Sequence, residues 1–124
     1  MIQKTFSLNL RERPFRAIVQ GTKKVEIRAN KYIFEENSVN LMRAGDRIIF
    51  THEVSLEKVG CVIERISLYK TVRDLLVAEG TEQTLSSTND IEEGILSIES
   101  LPNYKELIEK NGVFAIRLRE VRKI

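Results

Sequence analysis

The stretch Gly21-Thr22-Lys23-Lys24-Val25-Glu26-Ile27-Arg28 decides how the rest of this chain is read. Before it, Pro14-Phe15-Arg16-Ala17-Ile18-Val19 carries apolar residues at helical spacing, and Gly21 stands where a glycine closes a helix. Within it, Lys24, Glu26 and Arg28 alternate with Val25 and Ile27, the period of a half-buried strand. The pattern predicts a strand over Lys23–Ala29 with the three ionisable groups on one side and Lys23 at its mouth. Charges fixed to a rigid strand suit a polar or anionic ligand.

Working outward, Ile2–Leu8 alternates as a first strand. Asn9 is placed to cap the first helix, with Pro14 in its first turn, where a missing N–H costs little. Residues 30–44 have no clean period. Ala44-Gly45-Asp46 is a turn into an apolar strand, Arg47–His52, and a long strand follows over Val59–Leu68. Thr71 caps a helix that Gly80 closes. Thr81–Asn89 reads as a polar loop, and Asp90–Ile98 and Leu101–Lys110 as short amphipathic helices. Val113–Leu118 reads as the last strand after Asn111-Gly112. The order predicts an α+β domain: a small mixed β-barrel of about five to six strands with flanking helices, residues 1–124 forming one unit.

The 124 residues suffice for one core, and 31% charged residues with ordinary apolar content point to a globular chain. No apolar run approaches the roughly 18–20 residues of a membrane span. With one cysteine, Cys61, no internal disulfide can form, and the expected setting is the cytoplasm. His52 is the single histidine, so neither a metal centre nor any cofactor is expected. Residues 1–31 carry eight basic groups against two acidic ones, whereas residues 79–110 carry eight acidic groups against two basic ones. Such asymmetry suits an anionic partner on the basic side and a protein partner on the acidic face 79–110, or mutual pairing within the fold.

The order of helix, Gly-x-Lys-x-x-Glu-x-Arg strand (Gly21, Lys23, Glu26, Arg28), Gly45-Asp46 turn, apolar strand and Tyr69–Leu76 helix resembles the ASCH family of PUA-like β-barrels. The resemblance implies RNA binding in a cleft between the first helix and the barrel. It also implies two enzymatic alternatives, an amidohydrolase of N4-acetylcytidine and a ribonuclease. The amidohydrolase branch uses a lysine, a threonine and a glutamate. Lys23 matches that lysine, but Glu26 stands where the threonine belongs, and the distal glutamate falls only loosely at Glu79 or Glu82.

The expected ligand set for RNA or a nucleotide is therefore Arg16, Lys23, Lys24, Glu26, Arg28 and Asp46, with Lys23 and Glu26, and more weakly Glu79, as the catalytic set if the chain is an enzyme. Lys23 offers a phosphate a point charge or, desolvated, a nucleophile; otherwise it is a polar turn lysine. Arg28 offers a planar fork to a phosphate or base edge, or pairs with an acid such as Glu53. Glu26 orients the lysine, accepts from a base or acts as a general base. Asp46 serves its turn as well as any ligand. Ser86–Asn89 reads as a polar loop that either contacts a substrate or serves as a solvated connector, His52 as a strand-end residue and Cys61 as core. Tyr32, Phe34 and Tyr69 are isolated aromatics, with no adjacent pair to stack a base.

Overall fold

In the computed structural model, which describes residues 2–124, five strands form one sheet. They are β1 (Thr5–Leu10), β2 (Val25–Ala29), β3 (Arg47–His52), β4 (Lys58–Tyr69) and β5 (Val113–Lys123). The helices are α1 (Glu12–Gln20), α2 (Val72–Glu79), the single turn α3 (Thr81–Thr84), α4 (Ile91–Glu99) and α5 (Tyr104–Asn111), and a short 3-10 turn spans Val39–Leu41. The strand order is β1-β3-β4-β5-β2, with β1 parallel to β3 and the other pairs antiparallel. The sheet curls into a half-barrel, so the expected α+β barrel class holds, with five strands.

The curl comes from β4 and β5, whose register shifts at Gly60/Val62 and again at Ile63/Arg65. Alternation along β5 then serves two cores. Ile116 and Leu118 join Phe6, Phe15, Ile18, Ile48 and Phe50 between α1 and the sheet. Val113 and Ala115 join Val25, Leu75, Leu76, Ile98 and Ile108 beneath α2, α4 and α5. β4 is apolar and mostly buried over residues 59–63 and turns polar and more exposed from Glu64 onward.

Several boundaries differ from the sequence expectation. β1 starts at Thr5 and runs on to Leu10, so Asn9 lies inside the strand, and α1 begins after Arg11 without a side-chain cap. Gly21 closes α1 in the left-handed conformation (φ 84°), its N–H donating to Ile18 and the Thr22 N–H to Ala17. The Lys23 N–H also donates to Ala17, which keeps the chain bent there, and β2 begins only at Val25. Thr81–Thr84 is helical, and β5 runs five residues past Leu118.

β1 and β2 are the two margins of the sheet and share no ladder. Side chains bridge the seam between β1 and the β2 side. Arg28 Nη2 donates to the Asn9 carbonyl at 2.9 Å, and Asn37 Oδ1, from the loop after β2, accepts from the Ser7 N–H at 2.8 Å.

Candidate RNA-binding cleft

A cleft of about 560 Å³ opens where the end of β1, the start of α1, β2 and the helical segment α3–α5 meet. Lys23, Glu26 and Arg28 form part of its wall, whereas Lys24, which the alternation placed beside Glu26 and Arg28, does not. Arg11 and Arg13 stand at its rim beside the start of α1 together with Glu12 and Glu53, Arg11 lying 3.9 Å from Glu53, and Ser86, Ser87 and Tyr104 line the opposite side.

The bend before β2 sends the Lys23 side chain inward, where it is 5% exposed. Its Nζ donates to the Val25 carbonyl at 2.8 Å and to the Thr84 carbonyl at 2.6 Å, and lies 3.5 Å from Glu26 Oε1. An ammonium has three N–H donors, so this group is saturated by the protein. Burial draws the Lys23 ammonium below the ordinary lysine value, opposed by the adjacent Glu26 charge. Glu26 is equally buried, and its Oε2 accepts from Arg28 Nε at 2.8 Å. Burial pushes its carboxyl up, but the Arg28 and Lys23 charges outweigh that and hold it below the usual carboxylate range. Arg28 is the outermost of the three, with its side chain 23% exposed. Among the described residues Nη1 of this guanidinium has no hydrogen-bond acceptor.

Tyr104, from the first turn of α5, faces the triad. Burial pushes its phenol up, partly offset by the neighbouring Arg28 charge. Sequence reasoning passed over Tyr104; its place just after Pro102, at the start of an amphipathic helix, was the available signal. Ser86 and Ser87, from the polar loop read as either a substrate contact or a connector, line the cleft.

Other expected ligand residues lie elsewhere. Lys24 sits in the bend outside β2; it is exposed and lines a separate hollow with Arg117 and Arg119. Arg16 lies along α1, bound to Glu57 at 2.5 Å and Glu12 at 3.2 Å, and borders a neighbouring hollow. Asp46 is buried in its turn, its two oxygens accepting from the Lys4 and Arg43 N–H groups at 3.0 Å. Glu79 is held bidentate by Arg65 at 2.8 Å and also accepts from the Tyr69 hydroxyl, so it belongs to a cluster on β4 outside the cleft. Glu82 lines the hollow beside Arg16.

His52 is a buried strand-end residue. Its Nδ1 accepts from the Val54 and Ser55 N–H groups at 3.1 Å, so its Nε2 carries the proton and donates to Glu12 at 2.7 Å. Burial pushes the Cys61 thiol up to about 12, which removes it as a nucleophile. Tyr32 and Phe34, read as isolated, meet edge to face with centroids 5.6 Å apart on the surface. Among the described residues, no group of His, Cys, Asp and Glu side chains is placed to hold a metal ion, and no helix is long and apolar enough to cross a membrane.

The fold has counterparts among solved proteins. The hypothetical protein PH0355 is 29% identical, with 97% of this chain and 99% of that one aligned at a TM-score of 0.74. Protein PF0455 from Pyrococcus furiosus is 26% identical, with 97% of each chain aligned and a TM-score of 0.67. The S128A variant of ZmASCH from Zymomonas mobilis shares the fold at 22% identity, covering 98% of this chain and 72% of that one with a TM-score of 0.63. Among curated proteins, none matches the chain. The profile of the ASCH domain matches residues 8–122, from β1 into the end of β5 and across the whole Lys23–Glu26–Arg28 region, and the chain belongs to the ASCH domain family.

Proposed function

We propose that this protein binds RNA, holding a nucleotide in the cleft between α1 and the α3–α5 segment. One observation carries the reading. Lys23, Glu26 and Arg28 converge in a single open cleft whose rim adds Arg11 and Arg13. The buried Lys23–Glu26 pair stiffens the wall and fixes Arg28, whose unused N–H donors face a phosphate or a base edge. Arg11 and Arg13 supply the positive potential that steers a polyanion. RNA binding is what membership of the ASCH family suggests, and it agrees with this charge placement.

The hydrolase alternative has less support in the geometry. Lys23 Nζ spends its donors on two carbonyls and Glu26, a locked ammonium rather than a free nucleophile. Glu79 is tied to Arg65 and Tyr69, away from Lys23. Cysteine chemistry is closed off by the burial of Cys61.

The test is filter binding of single-stranded RNA across a salt series. With three cations (Arg11, Arg13, Arg28) meeting phosphates, the log–log salt slope is about −2, so affinity falls roughly 20-fold between about 50 and 200 mM salt. Absence of retention at low salt refutes the reading.

A further inference from the structure

The cleft is not the end of the furrow. On the other side of Arg28, along the same β1/β2 seam, lies a second hollow of about 190 Å³, and Arg28 and Tyr104 form part of both walls. Its apolar lining is Leu8, Ala29, Ile33 and Val39, and its polar edge carries Lys31 and Glu36, of opposite charge, with Asn37, Ser38 and Asn40. At roughly 30 Å³ per water it has room for about six waters, enough for a planar heterocycle and too little for a second whole nucleotide.

The hollow is built, not incidental. Asn30 Oδ1 accepts from the Tyr32 N–H at 2.8 Å and from Asn40 Nδ2 at 3.0 Å. The side-chain amides of Asn30 and Asn111 each donate to the other residue's carbonyl at 3.0 Å, tying the loop to the end of α5. The bond from the Tyr32 N–H to Asn30 accompanies a left-handed Tyr32 (φ 53°), a conformation bulky residues avoid, while Asn37 (φ 65°) is of a type that adopts it readily. Asn37 Oδ1 is taken by the Ser7 N–H, which leaves its Nδ2 donors without an acceptor among the described residues.

We infer that this hollow is a second base subsite, so that the ligand is an RNA strand engaged over at least two adjacent nucleotides and not a free nucleoside. The inference rests on the RNA reading above. One base occupies the main cleft, the next enters the hollow against Ile33 and Val39, and the phosphate joining them falls beside Arg28. That position accounts for a guanidinium standing between two cavities with Nη1 unspent. Asn37 Nδ2 and Lys31 supply donors to the edge of the second base.

The experiment measures Kd by calorimetry for the four 5′-mononucleotides, the sixteen dinucleoside monophosphates and a mixed-sequence RNA octamer. The proteins are the wild type, Ile33→Glu and Lys31→Glu, with folding checked by circular dichroism. Lys31 is exposed, so its replacement leaves the core untouched. The expected result is that the best dinucleotide binds at least tenfold more tightly than the best mononucleotide. Ile33→Glu and Lys31→Glu should erase that gain without moving the mononucleotide Kd. Equal affinity for mono- and dinucleotides, or a gain that survives both substitutions, overturns the second subsite and leaves the RNA reading standing. Binding only to the octamer, unaffected by either substitution, does the same. No binding to any of these ligands removes both.

Discussion

Replacing Lys23 with Met keeps the length of the side-chain stem but removes an ammonium that is buried against three acceptors. Two of them, the Val25 and Thr84 carbonyls, lose the Lys23 donor. The third, Glu26, stays buried but keeps Arg28 as a partner at 2.8 Å. Breaking a buried pair by removing one member costs about 3–5 kcal/mol, because the surviving charge remains desolvated. Here Arg28 compensates Glu26 in part, and relief of the lysine's own desolvation offsets more. The two orphaned carbonyls add about 1–3 kcal/mol each in the opposite direction. The balance is a loss of about 3–4 kcal/mol, a large part of the 5–15 kcal/mol available to a domain. For a chain of this size that lowers Tm by roughly 10–15 °C. Urea titration and thermal melts by circular dichroism read both quantities. A loss below about 1 kcal/mol would falsify the view that Lys23 is a structural keystone of the cleft wall. If Lys23→Met kept its stability and lost RNA binding, the lysine would be a direct ligand group instead.

Other substitutions probe the rest of the molecule. Arg13→Glu reverses an exposed rim charge; RNA affinity should fall about tenfold or more and the salt slope should flatten by about one, read by filter binding. Glu79→Gln tests the Arg65–Glu79–Tyr69 cluster. The Arg65 hydrogen bond, with smaller help from Tyr69, holds the Glu79 carboxyl below its ordinary value. Its stabilisation is therefore complete above about pH 4.5 and is lost as pH falls through the folded-state value. Urea midpoints of the Gln variant should decline less steeply below that pH; parallel curves count against the assignment. Gly112→Ala places a Cβ 2.7 Å from the Tyr69 carbonyl oxygen at φ 88°, where only glycine is relaxed. A loss of about 3 kcal/mol or more is expected in chemical denaturation.

Local pattern made much of the fold legible. Thr71 and Gly80 bracket α2 as their capping chemistry requires, and the apolar Arg47–His52 run is β3 to the residue. Glu26 and Arg28 share a face because the period of two survives folding, and Lys23 joins them because the bend after the closing glycine turns it inward. Lys24 was misplaced by extending that period one residue too far: the chain is still bent by the Ala17 hydrogen bonds, and the strand has not begun. Arg16, Asp46 and Glu79 were out of reach for another reason. Their partners Glu57, Lys4 and Arg65 are set by tertiary structure, and a charge already paired looks the same in sequence as one that is free. The second hollow was invisible for a similar reason. It depends on Asn30 meeting Asn111, 81 positions away.

The seam between β1 and β2 has a consequence for how such a domain can diverge. The connection between β3 and β4 joins strands that pair directly, so a changed loop there must respect the register of their ladder. Between Asn30 and Ala44 the chain crosses a gap that only side chains bridge, so residues there can be exchanged, added or removed without rethreading the sheet. Selection can thus rework this strip while the scaffold that carries Lys23 and Glu26 stays fixed.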